Sequence, residues 1–372
     1  MNIVNLLQRP DRFKIQNEPD LLMSNNTNIT KGEGGAVFCF GELLLRMSPV
    51  LNRAWIQDKV MPTFIGGAEL NVATALARWK VPARYSTALP DNYLSKEICE
   101  EIQTKNIDTS AVHFSGNRVG IYYLPQGADM KNAGVIYDRA YSSFSELKPG
   151  MINWDEALKG VSWFHMSAIS PALNENVVAV CKEGAAAASA KGITVSIDLN
   201  YRAKLWQYGK KPADVMPELV QYCDVIMGNI WAANSLLGIP VDPQIHINGK
   251  KEDFLQHAIQ TSKAIQQQYP KCKVVANTFR FDHGDGGILY YAALFTDGNL
   301  YNTAELIASK IVDKVGSGDC FMAGLIYGLY HQHPAQRVID VAARAAFGKL
   351  MEKGDATNQD METITSQLSK QN

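Results

Sequence analysis

Asp313-Lys314-Val315-Gly316-Ser317-Gly318-Asp319 runs directly into an apolar stretch from Cys320 to Tyr330. The spacing predicts a helix that begins near Asp319 and extends through Tyr330. Glycines at 316 and 318 let the backbone turn tightly, so that several N–H groups face one way. Those groups and the positive end of the helix together make an anion site. A carboxylate placed there is held ionised, and an ionised Asp319 can accept the proton of a hydroxyl that attacks a phosphoryl group. The amides around Gly316, Ser317 and Gly318 then meet the negative charge of that group. A plain glycine turn with Asp319 as the helix N-cap fits the same residues, so the junction needs support from the rest of the chain.

Upstream, the apolar run Ala36-Val37-Phe38-Cys39-Phe40 stops at Gly41-Glu42, as a buried strand should. Ala68 to Lys80 reads as a helix, with Leu70, Ala73, Leu76, Ala77 and Trp79 on its inner face. The alternation then repeats. Val161 to Met166 is a strand, Asn174 to Ala190 a small-residue helix and Ile193 to Asp198 a strand. Asp224 to Met227 is a strand, Ile230 to Leu237 a helix, Asp253 to Gln268 helical and Lys273 to Thr278 a strand. Strands alternating with helices imply parallel pairing with helices on both faces. The expected architecture is a three-layer α/β/α core.

Two segments break this rhythm. Arg53 to Phe64 and Arg118 to Asp138 carry β-branched and aromatic residues with polar interleaving, and read as strands of a small sheet with one wetter face. They are expected to be insertions at about 47–65 and 116–141 that form a lid over the carboxyl edge of the main sheet, where α/β folds bind ligands. Residues 1–34 are polar and aperiodic, and read as a loosely attached arm before a single domain at 35–372. Met23 offers a second start within that arm.

Three more clusters carry chemistry. Gly66-Gly67-Ala68-Glu69-Leu70-Asn71 opens the first helix with a diglycine, which lets a ligand approach the backbone, or simply makes a flexible entry. Asp198-Leu199-Asn200-Tyr201-Arg202 follows a strand at the binding edge, and Arg202 offers a planar fork for a carboxylate or phosphate. In the expected lid, Tyr122 and Tyr137 can stack on a ligand and Arg139 can pair with an anion; packing within the lid is the other reading for the tyrosines. His331-Gln332-His333 lacks nearby partners in metal spacing, and His283-Gly284-Asp285-Gly286-Gly287 reads as a hairpin loop. The metal ligands are not identifiable from these residues.

Composition removes other classes. The chain has 372 residues and a formal net charge of −1, so no basic field argues for nucleic acid or an anionic membrane surface. No stretch approaches the roughly 18 apolar residues of a membrane span, and the first residues lack a signal-peptide pattern. The six cysteines form no CxxC pair and sit in apolar runs, as expected of buried thiols in the cytoplasm. There is no GxxxxGK[ST] pattern, which disfavours a P-loop protein. Gly32-Glu33-Gly34-Gly35 precedes the first strand, so a dinucleotide fingerprint is also excluded.

Taken in this order, the motifs resemble the ribokinase-like (PfkB) carbohydrate kinases over roughly residues 36–357. That family's DxxGAGD signature reads here as Asp313 to Asp319 with Ser317 in place of Ala, and its diglycine followed by Asn matches Gly66, Gly67 and Asn71. Within the family the chain is most similar to 2-keto-3-deoxygluconate kinases, through Gly41-Glu42-Leu43-Leu44-Leu45-Arg46, Tyr137-Asp138-Arg139-Ala140, Phe144-Ser145-Glu146-Leu147 and Asn200-Tyr201-Arg202-Ala203-Lys204-Leu205-Trp206. The resemblance implies a sugar-acid substrate held by Gly66, Gly67, Asn71, Tyr122, Tyr137, Arg139 and Arg202. It implies ATP near Asn229, Thr278, Arg280, Gly316, Gly318 and Gly354, with Mg²⁺ and a monovalent cation such as K⁺. The exposed edges and wet face expected of the lid sheet suit a homodimer or higher homo-oligomer formed through it. Fructokinases share enough of the pattern to stand as an alternative. One departure is Ala232, where the family's Asn-x-x-Glu places a Glu that organises Mg²⁺; it leaves open a sugar-acid sensor without turnover. Phe279 to Gly287 and Lys349 to Gly354 also depart from the family pattern.

Overall fold

Alternate residues of the strand Ala36–Phe40 go to opposite sides of the molecule. Val37 and Cys39 join one apolar cluster, and Phe38 and Phe40 join the other. A strand buried on both faces is the mark of the middle layer in a three-layer fold. The computed structural model describes residues 34–50, 55–57, 59–125, 134–366 and 368. Apart from Gly34, the expected arm and the alternative start at Met23 lie outside the described residues. So do 51–54, 58 and 126–133 within the expected insertions.

Among the described residues the main sheet has ten strands. From one edge the parallel run is Ile107–Asp108, Ala83–Ser86, Ala36–Phe40, Val161–Ser167, Thr194–Asp198, Val225–Gly228 and Val274–His283. Helices Ala68–Arg78, Ser317–Tyr330 and Ala335–Lys349 cover one face, and Glu175–Ala190 with Ile230–Leu237 helps to cover the other. Helices Ser317–Tyr330 and Ala335–Lys349 approach through small residues: a Cβ on Gly324 would lie 2.7 Å from Ala342 Cα.

The parallel alternation ends at Val274–His283. That strand runs past Thr278, turns through Gly284 and Gly286 at φ of 63° and 82°, and returns antiparallel as Gly287–Thr296. Asn299–Asn302 and Leu306–Ala308 add to the same antiparallel edge. The hairpin reading of His283–Gly287 is therefore correct, and it is why no helix crosses the sheet here. All six cysteines are buried free thiols, and His331 stacks against His333 beside Tyr327.

A separate four-stranded sheet has the order Thr63–Gly66, Leu44–Met47, Gly120–Tyr123 and Ile136–Asp138. Its first strand starts at Leu44, so small-sheet residues precede the expected boundary at 47. The apolar run Leu43-Leu44-Leu45 masks that step, because it continues the hydrophobicity of the preceding core strand. Arg46 in this sheet lies over the Phe64 ring at 4.5 Å, a favourable cation–π contact.

Candidate active site

Gly66 closes the edge strand Thr63–Gly66 of the small sheet, and Gly67 at φ 143° is the N-cap of helix Ala68–Arg78. That backbone conformation, and a carbonyl oxygen of Glu42 that would sit 2.6 Å from any Cβ, make Gly67 a position for glycine alone. The turn places Asn71 one helical turn inward, where its Nδ2 donates to Asp319 Oδ2 at 2.7 Å.

Asp319 arrives from the opposite side. Helix Ser317–Tyr330 starts two residues earlier than expected, with Gly316 at φ 75° as its N-cap and no capping side chain. A Cβ on Gly316 would lie 1.8 Å from the carbonyl oxygen of Asp355. Asp319 is thus in the first turn and is not the cap. Among the described residues the amides of Ser317, Gly318 and Asp319 meet no chain acceptor; the first ladder bond is Cys320 N–H to Gly316 O at 2.8 Å. Three unpaired amides on a positive helix end make a cradle for a negatively charged group.

The cradle opens into a cavity of about 570 Å³. Gly67, Asn71, Tyr122, Tyr137, Arg139, Arg202, Asn229, Thr278, Arg280, Gly316, Ser317, Gly318 and Asp319 all line it. Two expected residues do not. Gly66 lies behind the wall, where its Cα abuts the Asp355 carboxylate, and Gly354 at φ 92° faces Phe64. Both serve backbone packing in this structure.

Electrostatics sort the lining. Burial pushes the Asp319 carboxyl up to about 6, while the Asn71 bond, Arg202 and Lys349 pull it down. Burial also raises Glu69 to about 7, against the Ser167 N–H that donates to its Oε1 at 2.8 Å, and the neighbouring Asp319 adds to the rise. Arg139 differs from expectation. It is buried and already paired: Nε donates to Glu42 Oε2 at 2.6 Å, and Nη2 meets the same oxygen. Ser142 Oγ donates to the other Glu42 oxygen. Arg202 Nη1 donates only to the Tyr201 carbonyl, its Nε is buried without a partner, and no carboxylate pairs with it among the described residues. Of the two arginines, Arg202 is the one with capacity for an incoming anion.

Sequence reasoning missed Glu42, Glu69, Lys314, Trp231 and Ser235 as lining residues, and it gave Asp355 no role of its own. Asp355 is in fact a buried hub, with Arg46 Nε at 2.7 Å from Oδ1 and the Tyr122 hydroxyl donating to Oδ2 at 3.0 Å. Arg46 also reaches Asp313 at 3.5 Å. No group of three His, Cys, Asp or Glu side chains converges as a metal site among the described residues.

An amide cradle beside a buried carboxylate, enclosed by a small sheet over a parallel α/β core, is an arrangement suited to phosphoryl transfer. The pfkB family carbohydrate kinase model matches residues 36–362, and the chain belongs to that family: it is a sugar kinase with the ribokinase-like fold. A 2-dehydro-3-deoxygluconokinase from Thermotoga maritima is 32% identical, with a TM-score of 0.81 over 90% of this chain and 99% of that one. A PfkB family carbohydrate kinase from Listeria grayi is 29% identical, with a TM-score of 0.78 over 90% and 99%. A 2-dehydro-3-deoxygalactonokinase from Haloferax volcanii is 25% identical over 316 residues, 85% of this chain and 91% of that protein.

Proposed function

We propose that the chain phosphorylates the primary hydroxyl of a 2-keto-3-deoxy sugar acid with ATP, 2-keto-3-deoxygluconate becoming its 6-phosphate. The observation that carries this reading is the cavity's polarity: Asp319 and three open amides at one place, and the unpaired Arg202 fork facing the same space. A neutral ketose offers that fork only hydroxyl and carbonyl oxygens, whereas a carboxylate takes stronger, charge-assisted bonds from it. The names of the Thermotoga and Haloferax relatives support the same substrate class.

In this mechanism the sugar acid lies under Tyr122 and Tyr137, with its carboxylate at Arg202 and its primary hydroxyl at Asp319. Asp319 takes the hydroxyl proton as the oxygen attacks the γ-phosphate, and Asn71 holds the carboxylate in line. The amides of Ser317, Gly318 and Asp319 meet the charge that spreads over the phosphoryl oxygens. The nucleotide lies along Asn229, Thr278 and Arg280, at the ends of the parallel strands. The site fits Mg²⁺ held largely through phosphate and water, with Asp198 and Asn229 as the protein groups near it; the ion would offset phosphate charge. The small sheet acts as a lid that excludes water. The six buried thiols fit a reducing, cytoplasmic setting, and the exposed edge of the small sheet suits pairing with a second copy.

The direct test is ADP release over a panel of 2-keto-3-deoxygluconate, 2-keto-3-deoxygalactonate, fructose and ribose. Highest kcat/KM on either sugar acid is expected; highest activity on fructose would overturn the substrate class. Calorimetric binding of a sugar acid with no ADP release would instead favour a sensor, the reading that Ala232 motivates.

Two further outcomes follow from the same site. Arg202→Met should raise KM for the sugar acid by about 10–100-fold, the loss of one charge-assisted pair, with a much smaller change in kcat. Equal KM values for the variant and the natural protein would remove Arg202 from substrate binding. The acid limb of kcat/KM should fall through about pH 6, because protonation of Asp319 removes the acceptor. Unchanged activity from pH 7 to pH 5 would contradict that assignment.

A further inference from the structure

Lysine is almost never fully buried without a partner, yet Lys349 is 0% exposed. It ends the helix Ala335–Lys349, and its Nζ donates to the Glu352 carbonyl at 3.3 Å. Its side chain lies beneath the glycine turn: a Cβ on Gly316 would come 3.5 Å from Lys349 Cε. The two segments are also joined through the backbone, where the Val312 and Asp313 N–H groups both donate to the Leu350 carbonyl, at 2.8 and 3.3 Å. Lys349 does not line the cavity, so it acts through the turn above it.

The charges around it explain the burial. From the turn come Asp313 and, beyond it, Asp319; from the segment after the helix come Glu352 and Asp355; from the helix opposite comes the Cys320 thiol; from the small sheet comes Arg46. Asp313, Asp319 and Asp355 are all buried; Arg46 pairs with Asp355 and Asp313, and Arg202, from the loop after Thr194–Asp198, acts on Asp319. Without a third positive charge, a buried carboxylate of this group would take up a proton. A diffusible monovalent ion such as potassium would supply that charge. Here the aliphatic stem of Lys349 fills the space under the turn, and its ammonium brings the charge covalently. Burial holds the ammonium below the usual lysine range, and the facing carboxylates oppose that.

We infer that Lys349 is a positioning residue, a built-in monovalent cation beneath the Asp313–Asp319 turn that keeps the turn in shape and Asp319 ionised, so that this chain needs no potassium ion there. The effect on turnover rests on the kinase reading above; the effect on stability does not. Two readouts therefore separate the two ideas. In thermal melts, the Tm of the natural protein should be the same in potassium and sodium chloride at equal ionic strength. That of Lys349→Ala should be lower and should rise when potassium or ammonium is added. In turnover assays, Lys349→Met should lose about 10–100-fold in kcat, and its acid limb should move to higher pH. Lys349→Ala should recover part of its kcat with ammonium, in a saturable way.

A Tm of the natural protein that rises with potassium over sodium would overturn the inference, even if neither variant folds. So would a folded Lys349→Met with an unchanged acid limb, or a folded Lys349→Ala that no small cation stabilises. If the natural protein turns over no sugar while the melts behave as expected, the substrate reading fails and the built-in cation stands.

Discussion

Replacing Asp319 by Asn leaves a folded protein whose kcat is lower by about 10²–10⁴, the range for loss of a general base. Asn is nearly the same shape, and its carbonyl oxygen still accepts from Asn71 Nδ2, so the geometry is retained and only the proton acceptor is lost. Stability moves the other way. The Asp319 carboxyl titrates near 6 in the folded chain, above its ordinary 3.8. The folded state therefore binds the proton more tightly than the unfolded state, and stability falls as pH rises from about 4 to about 6. Asn at this position never ionises and avoids that loss, so the variant should melt at or above the natural protein at pH 7. Steady-state kinetics and a melt on the same sample check both halves. A kcat within threefold of the natural protein would remove Asp319 from the chemistry.

The largest stability effect is expected at Arg46. Its guanidinium is buried between Asp355 at 2.7 Å and Asp313 at 3.5 Å, and it covers the Phe64 ring. Arg46→Met keeps much of the apolar stem but leaves two buried carboxylates facing one another. Removing one partner of a buried ion pair costs about 3–5 kcal/mol, because the remaining charge stays desolvated. Denaturant unfolding should show that loss at pH 7 and a smaller one near pH 5, where a proton can replace the missing charge. Adding Asp355→Asn to Arg46→Met should recover part of the stability. A single variant within about 1 kcal/mol of the natural protein would show that the cluster is neutralised by other means.

Much of the core was legible because its strands are short, apolar and punctuated. Ile230–Leu237 was bounded as read, and Val161–Ser167 and Thr194–Asp198 to within a residue. The antiparallel edge was not, since an alternation of strands and helices says nothing about a strand that folds back on itself. The glycine turn and the helix after it were legible from Asp313 to Tyr330 because glycine at 316 is the only residue its φ and the Asp355 carbonyl allow. The polar partners were harder. Glu42 reads as the end of a strand, yet it takes up the positive charge of Arg139 from 97 residues away. Arg46 and Asp355 lie farther apart still. Side chains that meet only through tertiary folding leave no local spacing to detect, so the Glu42 partner of Arg139 was not legible.

The Asp355 hub has a mechanical consequence. Arg46 and Tyr122 both reach it from the small sheet, and its own main-chain oxygen abuts Gly316. The roof of the site and the floor of the phosphate cradle are therefore fastened through one cluster, to which Arg46 adds its contact with Asp313. Lifting the roof must either drag the cradle or break both bonds to Asp355 and the Arg46–Asp313 pair, so an open molecule is also a disarmed one. On the mechanism proposed above, nucleotide that arrives before the sugar would then meet a cradle out of register, and be spared from being wasted on water.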